Sequence, residues 1–244
     1  MVNYAGKVTS IAKQVEEELL RHADPKKEAI LSRYFKAVPG GYGEGDLFLG
    51  INVPQQRAIV RQYRGISLGE MIPLIQSPYH ECRLTALFIL VGIYNAAKSH
   101  EVRKATVDFY LEHISYINNW DLVDSSAPHI LGAWLFDNDK TMLYDLAQSE
   151  NLWLQRIAII STHYFIKKGS YHDTIALAAI LLSHHHDLIH KAVGWMLREV
   201  ANKDQPAAEN FLCSRYQQMP RTMLRYAIEK FDSERRVQYL KGLI

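Results

Sequence analysis

The sequence contains only two cysteines in 244 residues, Cys82 and Cys213, and they lie far apart. A disulfide framework and a Cys-rich zinc site are both excluded, and a reducing interior is the natural compartment. Charge of one sign is lacking too. The 28 Lys and Arg are offset by 26 Asp and Glu, and a formal charge of +2 gives no histone-like positive field. Any nucleic-acid site must come from local clustering of basic residues. The longest apolar runs, such as Thr85 to Tyr94, fall short of the ~20 residues of a membrane span. Met1 to Lys7 runs into a charged amphipathic stretch without the apolar core of a signal peptide. The expected location is cytoplasmic, away from membranes.

Strand signals are equally scarce. There is no Asn-Gly or Asp-Gly turn between alternating apolar runs, no phosphate-binding glycine motif, no zinc-deaminase signature and no Gly-x-Ser-x-Gly elbow. What is present is a chain with 48% hydrophobic and 22% charged residues, enough to bury a full core. Apolar residues recur at spacings of three and four along most of it, the signature of helix. Helices are predicted over 6 to 22, 26 to 38, 54 to 64, 67 to 76, 79 to 96, 101 to 115, 119 to 136, 139 to 148, 151 to 168, 171 to 183, 187 to 202, 206 to 218 and 220 to 231, with a short one closing the chain. Pro54 and Pro206 suit first helical positions, and Asn118 or Asn119 can cap the helix that begins at Trp120. The one long break, Pro39 to Asp46, is rich in glycine and reads as a mobile loop inside a single domain spanning 1 to 244.

A weak repeat sets the expected architecture. Arg83, Asp124, Arg156, Lys191 and Arg225 each precede small and apolar residues, at intervals of 32 to 41 residues. Such intervals match a superhelical solenoid of antiparallel helix pairs, of the HEAT or armadillo kind, with a concave face lined by equivalent residues. Four of the five are basic. Either they form a cationic row around one carboxylate, or they merely bond to neighbouring repeats.

Several residues could carry chemistry. Trp120 and Asp124 are four apart and emerge from one helix face. Pro128 has no N–H for the carbonyl four residues back, so a kink at Asp124 is expected, either beside a site or as a bend made for packing. Trp153 and Arg156, and Lys191 and Trp195, pair an indole with a charge on later helices. Trp134 and Trp153 are expected to plug the core, whereas Trp195, near Lys191 and Arg198, is a better candidate for a site. Arg57, Arg61 and Arg64 share one face of a helix, and Arg33 and Lys36 flank Tyr34; phosphate contact and plain solvation both account for them. Arg221 and Arg225 share that ambiguity. The run His184-His185-His186 is read as the start of a helix capped by Asp187, not as a metal site.

Six stretches taken in order resemble the AlkD family of DNA alkylation repair glycosylases, which are built from HEAT-like repeats. They are Arg33-Tyr34-Phe35-Lys36, Phe48 to Pro54, Trp120-Asp121-Leu122-Val123-Asp124, Asn151 to Arg156, Lys191 to Glu199, and Arg221 to Ala227. The resemblance implies a monomeric, monofunctional enzyme that excises cationic N3- and N7-alkylated purines, such as 3-methyladenine and 7-methylguanine, from double-stranded DNA. It implies no cofactor or metal, and a bacterial-type cytoplasmic setting at the nucleoid. Its pocket residues fall on Trp120, Asp124 and Trp195, with Arg156 beside the acid. DNA contacts are expected from Tyr34, Lys36, Asn52, Arg57, Lys191, Arg198 and Arg225. Asn52 stands where the family has a longer amide, and the insertion from Pro39 to Asp46 lengthens a loop. The resemblance also implies that the lesion need not be swung into a deep pocket, unlike the usual habit of base-acting enzymes. A non-catalytic binder of damaged or branched DNA on the same scaffold is the alternative.

Overall fold

A computed structural model describes residues 10–63 and 65–244. Among them the structure is all-helical, and its only strand-like feature is an isolated parallel bridge between Leu47 and Tyr79. The chain divides into two compact units, 1–122 and 123–244, and each unit is described by itself.

The first unit contains α1 (Ile11–Arg21), α2 (Pro25–Tyr34), α3 (Val53–Gln62), α4 (Leu68–Ile75), α5 (His80–Ala96) and α6 (His100–Glu112). A 3-10 turn (Ile114–Tyr116) follows, and then the first residues of α7 (Trp120–Ser126). Local chemistry sets the starts. Ser10, Asp24 and Ser99 accept backbone N–H bonds as N-caps, and Asn52 with Gln55 and Ser67 with Glu70 form reciprocal capping boxes. Pro54 and Pro206 each lie within the first two positions of a helix. Helix α5 is buried on every side from His80 to Leu90, as a helix apolar all round must be, and α1, α3, α4 and α6 pack against it.

The second unit continues α7 and adds α8 (Ala133–Leu135), α9 (Thr141–Gln148), α10 (Leu152–Ser161), α11 (His163–Lys167), α12 (His172–Ile180), α13 (Asp187–Lys203), α14 (Gln205–Cys213), α15 (Arg221–Ala227) and α16 (Ser233–Lys241). Consecutive helices stack on one another, and α13 is the hub, touching α10, α11, α12, α14 and α15. Gly194 makes the α13–α15 approach possible: a Cβ there would lie 2.5 Å from both the Met223 carbonyl oxygen and the Tyr226 Cβ.

Several expected helices are shorter or interrupted: the 206 to 218 helix ends at Cys213 and the 220 to 231 helix at Ala227, and three others differ for reasons visible in their backbone. The 26 to 38 helix stops at Tyr34, because Lys36 turns into the left-handed region at φ 53°. The 151 to 168 helix breaks at Thr162, where Ser161 Oγ and Thr162 Oγ1 each donate to a carbonyl of the preceding turn at 2.7 Å, a pattern that bends helices. The 119 to 136 helix opens into a π-turn over Pro128–Gly132, with the Gly132 N–H reaching the Ala127 carbonyl at 2.8 Å. Pro128 was expected to kink the helix at Asp124; the interruption instead lies one turn on, as a π-turn that begins at Pro128 itself.

Candidate functional site

In the second unit the acid and the arginine singled out in the sequence meet. Arg156 Nε donates to Asp124 Oδ1 at 2.9 Å and Nη2 to Oδ2 at 2.8 Å, a two-point fork. The third edge of the guanidinium donates through Nη1 to the Leu188 carbonyl at 2.6 Å, at the start of α13. The Arg156 side chain is 5% exposed and that of Asp124 18%, so the acid is less enclosed than its partner. The π-turn follows directly, and its tight packing requires Gly132, since a Cβ there would meet the Ser161 carbonyl oxygen at 2.2 Å.

Trp195 lies half-buried on α13. Its indole Nε1 donates to Glu199 Oε1 at 3.0 Å, and the His163 ring lies 5.6 Å from it, centre to centre. Arg198, expected to touch DNA, is bonded to Glu199 and to Glu229. Lys191 forms an ion pair with Asp187 at 2.6 Å, and Arg225 is exposed. The His184-His185-His186 run does start α13, but the cap is His186, whose Nδ1 accepts the Leu188 N–H at 3.1 Å; Asp187 is already inside the helix. No group of three or more potential metal ligands converges among the described residues. Trp134 and Trp153 are half-buried rather than core plugs.

In the first unit Trp120 belongs to an aromatic cluster. Phe35 stacks on it at 5.2 Å, and Tyr34, 61% exposed, meets it edge-on at 5.8 Å. Phe35 also stacks on Phe48 at 5.3 Å, and both rings lie 4.8 Å from the ring of His80. Lys36 is exposed beside this cluster, and Arg57 is exposed with its guanidinium 4.4 Å above the Phe88 ring. Asn52 spends its side-chain oxygen on the Gln55 N–H at 3.0 Å, as the cap of α3. Arg64 lies outside the described residues.

Sequence reasoning missed what supports this cluster. His80 is buried and bonds Asp121 Oδ2 through Nε2 at 2.8 Å and Asp46 Oδ2 through Nδ1 at 3.3 Å. Burial alone would lower its pKa; the charge and hydrogen bond of Asp121, together with the bond to Asp46, outweigh that and raise it to about 9. It is therefore an imidazolium at neutral pH. Arg83, 4% exposed, donates to Asp46 Oδ1 at 2.6 Å, to the Ser77 and Pro78 carbonyls, and to Asn118. Burial disfavours the Asp46 carboxylate, yet the bonds from His80 and Arg83 hold its pKa below the ordinary value.

The same helix end pins the segment that follows the glycine-rich loop. Glu81 accepts the N–H groups of Leu49, Gly50 and Ile51 at 2.9, 2.9 and 3.2 Å. Gly50 sits at φ 80°, and a Cβ there would lie 2.2 Å from the Asp24 carbonyl oxygen. The loop from Pro39 to Asp46, expected to be mobile, is tied at its end through the bonds of Asp46 to His80 and Arg83, and Glu81 holds residues just beyond it. The cationic row is corrected as well, because Arg83 and Arg156 are buried among bonding partners and Lys191 is ion-paired. The signal available was a cluster of three ionisable residues, His80, Glu81 and Arg83, opening a helix whose next seven residues, Leu84 to Leu90, are apolar but for Thr85.

These features define an all-helical protein in which a carboxylate held by a guanidinium, and indoles on separate helices, are set by stacked helix pairs. Residues 15–231 match the model of a family described as DNA alkylation repair enzyme, and the chain belongs to that family. A solved structure described as a predicted DNA alkylation repair enzyme from Enterococcus faecalis shares the fold, with a TM-score of 0.67 at 18% identity over 86% of this chain and 97% of that one. A comparison with curated proteins gives no match. Among the described residues no helix is long and apolar enough to cross a membrane.

Proposed function

We propose that this DNA alkylation repair enzyme is a monofunctional, monomeric glycosylase. It excises cationic purines alkylated at N3 or N7 from duplex DNA, with residues 1 to 244 acting as one functional domain and a concave face receiving the duplex. The observation that carries the reading is the Asp124–Arg156 fork, which keeps a carboxylate in one orientation on a side chain that is not fully enclosed. Alkylation makes the base cationic and hence a good leaving group. The bond from C1′ to the base nitrogen breaks, its electron pair leaves with the base, and positive charge develops on the deoxyribose. Asp124 opposes that charge in a site partly shielded from water. A water oxygen then bonds to C1′ and gives up a proton to the carboxylate or to solvent. Trp120 and Trp195 contact the cationic nucleotide through their faces, at about 0.5 to 2 kcal/mol each. Tyr34, Lys36, Asn52, Arg57, Lys191, Arg198 and Arg225 are the proposed DNA-side residues.

One observation favours the alternative of a non-catalytic binder: both oxygens of Asp124 are already engaged by Arg156, as in a structural ion pair. A base-release assay separates the two readings. Purified protein should free 7-methylguanine and 3-methyladenine from alkylated duplex DNA. Asp124→Asn should cut that release on the order of a hundredfold or more while DNA binding persists. Release that is undiminished in Asp124→Asn overturns the mechanism, and binding to branched DNA without release of any lesion supports the binder.

A further inference from the structure

Trp195 is the one candidate indole whose N–H is committed to a carboxylate on its own helix, Glu199 Oε1 at 3.0 Å. That carboxylate is itself fixed. Arg198 approaches the same oxygen through Nε and Nη2 at 3.4 and 3.3 Å, and Asn202 Nδ2 donates to Oε2 at 3.4 Å. Glu229 anchors Arg198 from the other side. The remaining aromatic neighbour is His163, whose pKa is pulled down by burial and by the charge of Lys167. A neutral imidazole leaves the indole to meet its cation elsewhere.

An indole that donates its N–H to a full negative charge is polarised: electron density shifts from the N–H toward the ring, and the potential above the ring face becomes more negative. Attraction of a cation to that face is electrostatic and strengthens accordingly. We propose that Glu199 is a specificity-determining positioning residue, which orients the Trp195 indole and raises the preference of its face for a cationic nucleobase over a neutral one. The inference rests on the glycosylase reading only for the identity of the ligand, and its central contact lies entirely within α13. Arg198 takes a second role from it, as the group that holds Glu199 in place.

The test uses the whole protein labelled with nitrogen-15, following the indole N–H resonance of Trp195, assigned by its disappearance in Trp195→Phe. Titration is with 7-methylguanosine, in mildly acidic buffer that keeps it cationic, and separately with guanosine. In the wild type the cationic nucleoside should shift the resonance at about fivefold lower concentration than the neutral one. Glu199→Gln, which keeps the shape and an acceptor oxygen but not the charge, should move the resonance upfield and reduce the preference at least twofold. Glu199→Leu should abolish it. An equal response to both nucleosides in the wild type, or an unchanged preference in Glu199→Gln, overturns the proposal. Because Glu199→Gln is nearly isosteric, it carries the test even if the leucine variant does not fold. Base release is assayed in parallel: a wild type that shows the preference but frees no base defeats the glycosylase reading and leaves this inference standing.

Discussion

His80 and Asp121 are joined at 2.8 Å in the interior of the first unit, and Asp121 is the residue directly after Trp120. A buried imidazolium between two carboxylates therefore sets the start of the helix that presents the indole.

The sign of its pH dependence follows from the shift. The folded pKa of His80 is raised from 6.5 to about 9, so its contribution to stability is fully present below 6.5 and is lost as pH rises through 9. Asp46, with a lowered pKa, contributes above its ordinary 3.8 and loses that contribution as the solution becomes more acidic. His80→Gln should destabilise the protein by about 3 kcal/mol at neutral pH, through two carboxylates left short of a partner. Urea denaturation of both proteins between neutral pH and pH ~10 should show the difference shrinking at the alkaline end.

Arg156→Lys should behave as a loss, not a conservative change. An ammonium cannot reproduce a two-point fork to Asp124 together with a bond to the Leu188 carbonyl. A destabilisation of about 2 to 3 kcal/mol is expected by thermal or chemical unfolding, together with lower base release.

Glu81→Gln should loosen the loop that precedes α3. The amide has a single acceptor oxygen where the carboxylate serves three backbone N–H groups. Hydrogen exchange at Leu49, Gly50 and Ile51 should accelerate, with a stability loss of about 1.5 to 3 kcal/mol.

Gly194→Ala should force α13 and α15 apart, since the added methyl would overlap the Met223 carbonyl oxygen. About 1 to 3 kcal/mol of overpacking is expected, read as a lowered melting temperature.

Arg57 and Arg225 are exposed, and each should account for about one unit of the slope of log K against log salt if it meets a phosphate. Replacing either by Ala and repeating DNA binding over a salt series checks this. An unchanged slope would remove that residue from the interface.

Much of the fold was legible because its signals are local. Apolar spacing and the prolines at positions 54 and 206 depend on neighbours within one turn, and they mark helix starts to within a few residues. Pro128 likewise marked the helix that begins at Trp120 for interruption, although the π-turn lies one turn beyond the kink expected at Asp124. The pairing of Arg156 with Asp124 was reached through family resemblance. What stayed hidden depends on partners distant in the chain: Arg83 and Asp46 are 37 residues apart, and Glu81 is 30 or more from the amides it holds. Nothing in periodicity distinguishes a buried, ion-paired arginine from one that faces solvent, and this is why Arg83 and Arg156 dropped out of the row of cations into buried ion pairs. The bond from Trp195 to Glu199 could have been read from their spacing of four.

The third edge of the Arg156 guanidinium has a mechanical consequence. One flat, rigid group grips the acid with two of its edges and the first turn of α13 with the other, and α13 also carries Trp195. Acid and indole are thereby linked through a common strut: whatever displaces the start of α13 tugs on the carboxylate, so a ligand wedged against the indole would reset the aim of Asp124 without touching it.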